Sequence, residues 1–168
     1  MAKVSFSKLG LSKNNTIKNF EYNGQNIEIK QYLPINDKLT LISNVINASY
    51  DENNFANPVK VSIFGTLEIL YFYTNINFTD KQKEDPAKLY DLLVGNGFLE
   101  VILEAIPREE YCQIVDGIDQ SIKAFYDYRN SVMGILEAVS SDYSNLNLDA
   151  TEIQSKLADP ENLELLRA

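Results

Sequence analysis

The dipeptide Asn23-Gly24, set between two alternating runs, constrains the fold of this chain more than any other feature. A type I′ turn needs positive φ at both central residues, and Asn-Gly adopts that conformation at low steric cost. The runs on either side alternate apolar and polar side chains with the period of a strand. The sequence therefore predicts a β-hairpin within residues 16–34, in a register that pairs Phe20 with Ile27.

This register sorts the side chains of the hairpin onto two faces. The apolar face carries Phe20, Tyr22, Ile27, Ile29 and Leu33. The polar face carries Asn19, Glu21, Asn26, Glu28 and Lys30. Because an isolated hairpin is marginally stable in water, the apolar face must pack on the rest of the chain or be extended by a strand from another chain.

From Asn36 onward the apolar residues recur with a helical period. Residue pairs typical of helix N-termini follow at intervals: Asn57-Pro58, Thr79 with Gln82, Asp85-Pro86, Asp149 with Glu152, and Asp159-Pro160. The segment Val59–Tyr73 is apolar on most sides and predicts a central buried helix. Within it, the stretch Ile69–Thr74 is rich in aromatic and β-branched residues and also fits a strand.

The longest helical pattern runs from Pro107 to about Val139, and the polar residues 140–148 predict a loop after it. Two glycines lie inside this pattern, Gly117 and Gly134. Each costs a helix about 1 kcal/mol relative to alanine, so each predicts either a break or a close crossing with another helix.

These patterns predict an α+β fold that is predominantly α-helical, with an N-terminal β-hairpin packed on a bundle of about five to seven helices. With 168 residues the chain is long enough for one domain. We divide it into an N-terminal arm (residues 1–15), the hairpin (16–34) and a helical body (35–168). The arm has no persistent period but contains four large apolar residues, which predict docking on its own body or on a neighbour.

Charge is distributed unevenly along the chain. Residues 1–38 carry six lysines and three acids, whereas residues 39–168 carry a net charge of −12, so that the whole chain carries −9. Phosphate contacts need clustered cations, and this balance argues against nucleic-acid binding. The longest apolar run, Ile63–Tyr73, is too short and too polar to span a bilayer, and the N-terminus lacks the apolar stretch of a signal peptide. We expect no membrane partner.

The residues that most often carry catalysis are scarce. The chain has no histidine, which removes the commonest general base and metal ligand, and Cys112 is its only cysteine. Cys112 lies beside apolar helical positions and predicts a buried, inert thiol. The remaining candidates are carboxylate pairs at helical spacing, Glu100 with Glu104 and Asp116 with Asp119, which are more typical of solvated helix faces than of a metal site. We expect no enzymatic activity, no cofactor and no metal.

Two features predict partner binding. The first is the hairpin with its arm. The second is a group of aromatic residues, for which core packing is the favoured alternative: Tyr71, Phe72, Tyr73, Phe78 and Phe98, with Phe125, Tyr126 and Tyr128 later in the chain. Within this group, Tyr126 and Tyr128 cannot both share the helix face of Ile122 and Phe125, so that at least one is expected at the surface, where tyrosine favours interfaces. The partner-binding candidates are Phe6, Leu9, Leu11, Phe20, Tyr22, Ile27, Ile29, Tyr126 and Tyr128. We also expect the chain to form a homo-oligomer.

Three segments, Ile27–Pro34, Asp51–Pro58 and Tyr73–Thr79, give the chain a resemblance to small proteins encoded by phages and prophages of Gram-positive bacteria. The likeness extends over residues 1–140. It implies a role in virion morphogenesis or in the contest between phage and host, in the host cytoplasm or in the virion. It assigns no role to any particular residue.

Within that context, a small acidic helical protein with an N-terminal hairpin is similar to tail-assembly chaperones, which coat the tape-measure protein before the tail tube polymerises. The partners implied are other phage proteins: tape-measure, tail or capsid subunits. A structural head, connector or tail component that stays in the virion is the close alternative. A third reading is an acidic inhibitor of a host enzyme or defence protein, which would need carboxylates concentrated on one face.

Overall fold

The computed structural model describes residues 3–52 and 54–145, with side chains described as far as residue 140. A single turn of 3-10 helix, Phe6–Leu9, precedes the strands β1 (Ile17–Tyr22) and β2 (Gln25–Lys30). The helices that follow are α1 (Ile35–Ser49), α2 (Pro58–Tyr73), α3 (Asp80–Lys83), α4 (Pro86–Gly95), α5 (Phe98–Ala105), α6 (Arg108–Arg129) and α7 (Val132–Asn145). The predicted fold class, α+β and predominantly helical with an N-terminal hairpin, is confirmed.

The hairpin forms in the predicted register. Asn23 has φ 50° and Gly24 has φ 74°, which are the positive values that a type I′ turn requires. The antiparallel pairing sets Phe20 opposite Ile27 and Tyr22 opposite Gln25. Local turn chemistry alone therefore fixes which side chains of the two strands share a face.

The outer edge of β2 is joined to the segment that follows α2. The backbone N–H of Asn75 donates to the carbonyl of Glu28 (3.2 Å), and the Asn75 side-chain oxygen accepts from the Glu28 N–H (3.0 Å). An isolated antiparallel bridge joins Ile29 to Thr74. Since α2 remains helical through Tyr73, the strand alternative for residues 69–74 is wrong apart from this bridge.

The core lies where the hairpin, α1, α2, α5 and α6 meet. Its fully covered side chains come from each of these elements or from the loop after β2: Ile29, Leu33, Leu41, Val45, Leu67, Leu70, Tyr73, Ile102 and Ile114. Helix α2 contributes more of them than any other element. Its N-terminus is capped as predicted, because the Asn57 side chain accepts from the N–H groups of Val59 and Lys60. The predicted capping box of Thr79 and Gln82 is also confirmed, at the start of α3.

A buried carboxylate joins four parts of this core. Glu110, in α6, accepts hydrogen bonds from the backbone N–H of Leu33 (3.1 Å), the ammonium of Lys38 (2.9 Å) and the hydroxyl of Tyr73 (3.0 Å). The Lys38 ammonium also donates to the side-chain oxygen of Gln113 (2.7 Å). The ion pair between Lys38 and Glu110 is therefore both buried and hydrogen-bonded, the condition under which buried charge is tolerated.

The helical pattern from Pro107 to Val139 is divided between α6 and α7, and this break is one of the two outcomes that Gly134 predicted. Ser131 begins the new helix: its hydroxyl accepts from the N–H of Gly134 (3.2 Å), the geometry of an N-cap. A Cβ on Gly134 would overlap the carbonyl oxygen of Tyr128, so this glycine marks the break. The predicted loop over 140–148 is wrong as far as Asn145, since α7 continues to that residue.

Gly117 marks a close crossing of two helices, which is the other outcome that a glycine in this pattern predicted. A Cβ at this position would lie 2.6 Å from the terminal methyl carbon of Ile42, so α1 and α6 approach closely here. Cys112, in contrast, is exposed, and the prediction of a buried thiol is wrong. The buried stripe of α6 runs through Glu110, Ile114 and Ile118 at a spacing of four residues, which turns Cys112 away from the core.

The chain divides into two compact units whose boundary falls within α6, between Lys123 and Ala124. The first unit contains the hairpin and the core described above. The division into arm, hairpin and body at residues 15 and 34 stays a prediction. The two predicted helix starts at Asp149 and Asp159 lie outside the described residues. In the described part of the chain, no helix combines the length and the apolar character needed to cross a membrane.

We predict that Glu110→Gln lowers the free energy of unfolding by about 3–5 kcal/mol, because it leaves the Lys38 ammonium buried without a counter-charge. Glu109→Gln, at the exposed neighbouring position, is the control and should change it by less than about 0.5 kcal/mol. Urea unfolding monitored by circular dichroism measures both. Equal effects of the two substitutions would contradict a stabilising role for the buried pair.

Alkaline pH should weaken the same cluster. Burial, and then the hydrogen bond to Glu110, raise the pKa of Tyr73 well above its ordinary value of about 10. The folded chain therefore keeps the Tyr73 proton at pH values where the unfolded chain has lost it. The stability that this proton contributes is complete below about pH 10. Above that pH it falls by up to about 1.4 kcal/mol per pH unit. Tyr73→Phe should remove this part of the loss of stability at alkaline pH. Parallel pH profiles for wild type and Tyr73→Phe in urea unfolding would contradict the prediction.

Candidate protein-binding groove

An apolar groove of about 510 Å³ opens beside the turn of the hairpin. One wall is the turn end of β1 and β2, the opposite wall is the junction of α4 and α5, and the segment after α2 closes the floor. The apolar lining residues are Tyr22, Ile27, Ile76, Phe78, Leu92, Leu93 and Phe98. Three side-chain amides complete the lining: Asn23, Gln25 and Asn96.

Aromatic packing fixes the hairpin wall. The rings of Tyr22 and Phe98 meet edge to face, with centroids 4.8 Å apart and planes inclined at 72°. Phe20 lies next to Tyr22 on the same face of β1, at a centroid distance of 6.2 Å. Because edge-to-face pairs are favoured geometries, these contacts join the hairpin directly to the start of α5.

A tight connection shapes the helical wall. Helix α4 begins at Pro86, where the Asp85 carboxylate accepts from the Lys88 N–H (3.1 Å). At its other end Gly97 has φ 65°, a left-handed conformation that lets the chain reverse and start α5 at once. As a result Phe98, at the start of α5, is a buried part of the helical wall, while Leu92 lies at its lip with 61% of its surface exposed.

The floor is held by the segment between α2 and α3. Phe78 is buried, and its ring packs edge-on against Tyr71, with centroids 5.0 Å apart. The capping box of Thr79 and Gln82 fixes the chain directly after Phe78. The groove is therefore formed by ordered contacts on all three sides.

The chain segments that line the groove are acidic. These segments, 20–29, 74–80 and 90–100, contain five exposed carboxylates and no lysine or arginine. Glu21 and Glu28 lie on the polar face of the hairpin, away from the groove. The other three, Asp80, Asp91 and Glu100, are each within two residues of a lining residue, and we call them the acidic border. Lys81 and Lys88 line a neighbouring depression of about 330 Å³ that shares Leu92 with the groove. An apolar segment that also carries cations would complement this surface in both polarity and charge.

The structure brings together two of the four hairpin residues predicted to bind a partner. Tyr22 and Ile27 line the groove, Phe20 is half-buried beside Tyr22, and Ile29 has no exposed surface because the chain covers it entirely. Phe78 and Phe98 also line the groove. Both belong to the aromatic group that the sequence offered as a partner-binding feature, with core packing as the favoured alternative. Leu92 is a lining residue that the sequence did not single out for binding.

The predicted arm residues lie at the surface. Phe6 is 75% exposed, and Leu9 and Leu11 are also exposed. The base of the arm, residues 12–15, lies next to Tyr32 and the start of α1, at the end of the hairpin opposite the turn. The arm therefore does not enter the groove of its own chain.

The predicted tyrosine pair lies in the second unit. Tyr126 is half-buried and its ring contacts that of Phe125, with centroids 5.9 Å apart, whereas Tyr128 is exposed. A hydrogen bond with the Glu137 side chain raises the pKa of Tyr128. The expectation that one of the two lies at the surface is confirmed, and its part in binding stays a prediction.

A second surface feature is the outer edge of β1. The bond from the Gln31 N–H to the Thr16 carbonyl (2.9 Å) fixes the alternation of the ladder, so that Ile17, Asn19 and Glu21 turn their backbone N–H and C=O groups away from β2. The sheet has two strands, β1 and β2, within the described residues. Since Asn75 occupies the edge of β2, the edge of β1 is the one open to a further strand.

The carboxylate pairs considered as metal ligands are exposed on helix surfaces: Glu100, Glu104, Asp116 and Asp119. Among the described residues, no three or more cysteine and acidic side chains come together in a group that could hold a metal ion.

Comparison of the chain with protein-family profiles, with curated proteins and with solved structures gives no match. The geometry of the groove and the chemistry of its border are therefore the basis for a functional proposal.

The junction of α4 and α5 gives a local test of the helical wall. We predict that Gly97→Ala lowers the free energy of unfolding by about 1–2 kcal/mol, because alanine is strained at positive φ although its Cβ would meet no other atom. Gly95→Ala is the matched control: its Cβ also meets nothing, and Gly95 is the last residue of α4 and has no positive φ, so that alanine is not strained there. Urea unfolding should show the loss for Gly97→Ala and not for Gly95→Ala, and equal losses would contradict the assignment.

Proposed function

We propose that this chain is a non-enzymatic virion-assembly protein of a bacteriophage, similar to a tail-assembly chaperone, which binds an apolar segment of another phage protein in the groove beside its hairpin. The observation that carries the proposal is the apolar, acid-bordered groove itself. The phage context comes from the resemblance of the sequence. The absence of histidine from the sequence supports a role without catalysis.

The shape and lining of the groove suit an amphipathic helix as the bound segment. Such helices bind by inserting side chains spaced three and four residues apart into an apolar groove. Tyr22 and Phe98 supply rigid aromatic surface, and Leu92 supplies an exposed lip. The side-chain amides of the lining offer both donors and acceptors to polar groups of the client. A tape-measure protein, which is a long helical client, has the required form.

The acidic border supports reversible binding. Exposed charges attract a client that carries cations, but water and salt screen them, so that they add more to the rate of association than to its strength. A chaperone must release its client when the tail tube polymerises, and a groove that combines modest apolar area with screened charges meets that need.

We predict that Leu92→Glu weakens binding of the tape-measure protein at least about tenfold, because it places a charge on the lip that the client would bury. Leu39→Glu is the matched control, since Leu39 is also a helical leucine and is 59% exposed against 61% for Leu92. Tagged full-length variants co-expressed with the tape-measure protein, followed by quantitative co-purification, measure the effect. Equal capture by the two variants would contradict binding in the groove.

A structural head, connector or tail component that remains in the virion is the second candidate, and the open edge of β1 favours it. Virion subunits can interlock when a strand of one completes the sheet of the next through main-chain hydrogen bonds. Mass spectrometry of purified particles separates the two candidates. A chaperone should be absent from them, whereas stoichiometric copies would overturn the chaperone proposal and support the structural one.

A further inference from the structure

We infer that the groove binds the N-terminal arm of a second copy of this chain. The inference rests on the proposed function in one respect, because it assigns an occupant to the same groove. It goes further because it names the chemistry of that occupant. It also assigns an interaction between the basic N-terminal arm and the acidic body of the chain.

The arm has the composition that the groove requires. Residues 1–15 contain three lysines and no acid, so they carry +3 while the rest of the chain carries −12. Interspersed with these lysines are four apolar residues, Val4, Phe6, Leu9 and Leu11, all of them exposed in the isolated chain. An apolar segment that carries only positive charge thus belongs to the same chain as an apolar groove whose lining segments contain carboxylates and no lysine or arginine.

The geometry indicates exchange between two copies rather than insertion into the same chain. The base of the arm contacts Tyr32 and the start of α1, beyond the open end of the hairpin, whereas the groove lies at the turn end. No residue of the arm lines the groove of its own chain. The arm of a second copy is therefore the occupant that we infer.

The short helical turn of the arm places two of its apolar side chains on the same side. Phe6–Leu9 forms one turn of 3-10 helix, and Gly10, with φ 63°, ends it. Phe6 and Leu9 are three residues apart, a spacing that places both on one side of such a turn. These two side chains are the anchors that would pack on the apolar surface formed by Tyr22, Phe98 and Leu92.

Full-length variants test the exchange. Sedimentation velocity of the wild type at concentrations up to about 100 μM should show self-association. Phe6→Asp/Leu9→Asp, which disables the arm, and Leu92→Glu, which disables the groove, should each be monomeric. An equimolar mixture of these two variants should form a 1:1 complex, because one still has its groove and the other still has its arm. Leu39→Glu should associate like the wild type.

A labelled peptide of residues 1–15 provides a second measurement. It should bind the Phe6→Asp/Leu9→Asp protein, whose groove is vacant, in fluorescence anisotropy. Binding should weaken at least about tenfold when Leu92→Glu is added to that protein. It should also weaken from about 50 to about 500 mM NaCl, because the attraction between arm and border is screened. Circular dichroism confirms that each variant is folded. If Leu92→Glu does not fold, the binding of the peptide and its salt dependence still decide the question.

Three outcomes would overturn the inference: a wild type that is monomeric throughout, a mixture of the two variants that stays monomeric, or a peptide that does not bind. These outcomes are distinct from failure of the proposed function. If the peptide does not bind but Leu92→Glu still loses the tape-measure protein, the groove serves a client and not the arm. If the peptide binds and no phage client does, the groove is a self-association site and the chaperone proposal falls.

Discussion

The buried carboxylate of Glu110 is the interaction on which the remaining architecture depends. It accepts hydrogen bonds from the chain just after β2, from Lys38 in α1 and from Tyr73 in α2, while it belongs itself to α6. A buried charge is tolerated only when its partners are in place, so these four segments are stable together in one arrangement. Because one of the bonds fixes the exit of the hairpin, the same cluster determines where the hairpin lies on the helices.

The groove follows from that placement. Its hairpin wall is positioned by the clamp between Glu28 and Asn75 and by the contact of Tyr22 with Phe98. Its helical wall is positioned by the reversal at Gly97. A binding surface that is ordered before a ligand arrives loses less conformational entropy on binding. The apolar lining therefore serves recognition with little reorganisation, whichever protein segment occupies it.

The structure shows where the charges of the sequence lie relative to the apolar surfaces. Along the sequence, a basic N-terminal end and an acidic body are adequately explained by solubility. In three dimensions, three exposed carboxylates lie within two residues of the lining of one apolar groove, and the basic arm carries exposed apolar side chains that would complement it. Polarity and charge thus match at two of the places where this chain exposes large apolar side chains.

The sequence by itself determined the elements governed by short-range chemistry. Asn23-Gly24 fixed the turn and with it the register of the strands, and the caps at Asn57 and Thr79 fixed helix starts, because each depends on a few neighbouring residues. The break before α7 also has a local cause, the Ser131 cap, and a break was one of the two outcomes that Gly134 predicted. Only the tertiary structure decided that Glu110 is buried, that Cys112 is exposed and that Leu92 and Phe98 border one groove. These outcomes depend on which helix faces pack together, and that choice is made by contacts between residues far apart in the chain, which no local pattern encodes.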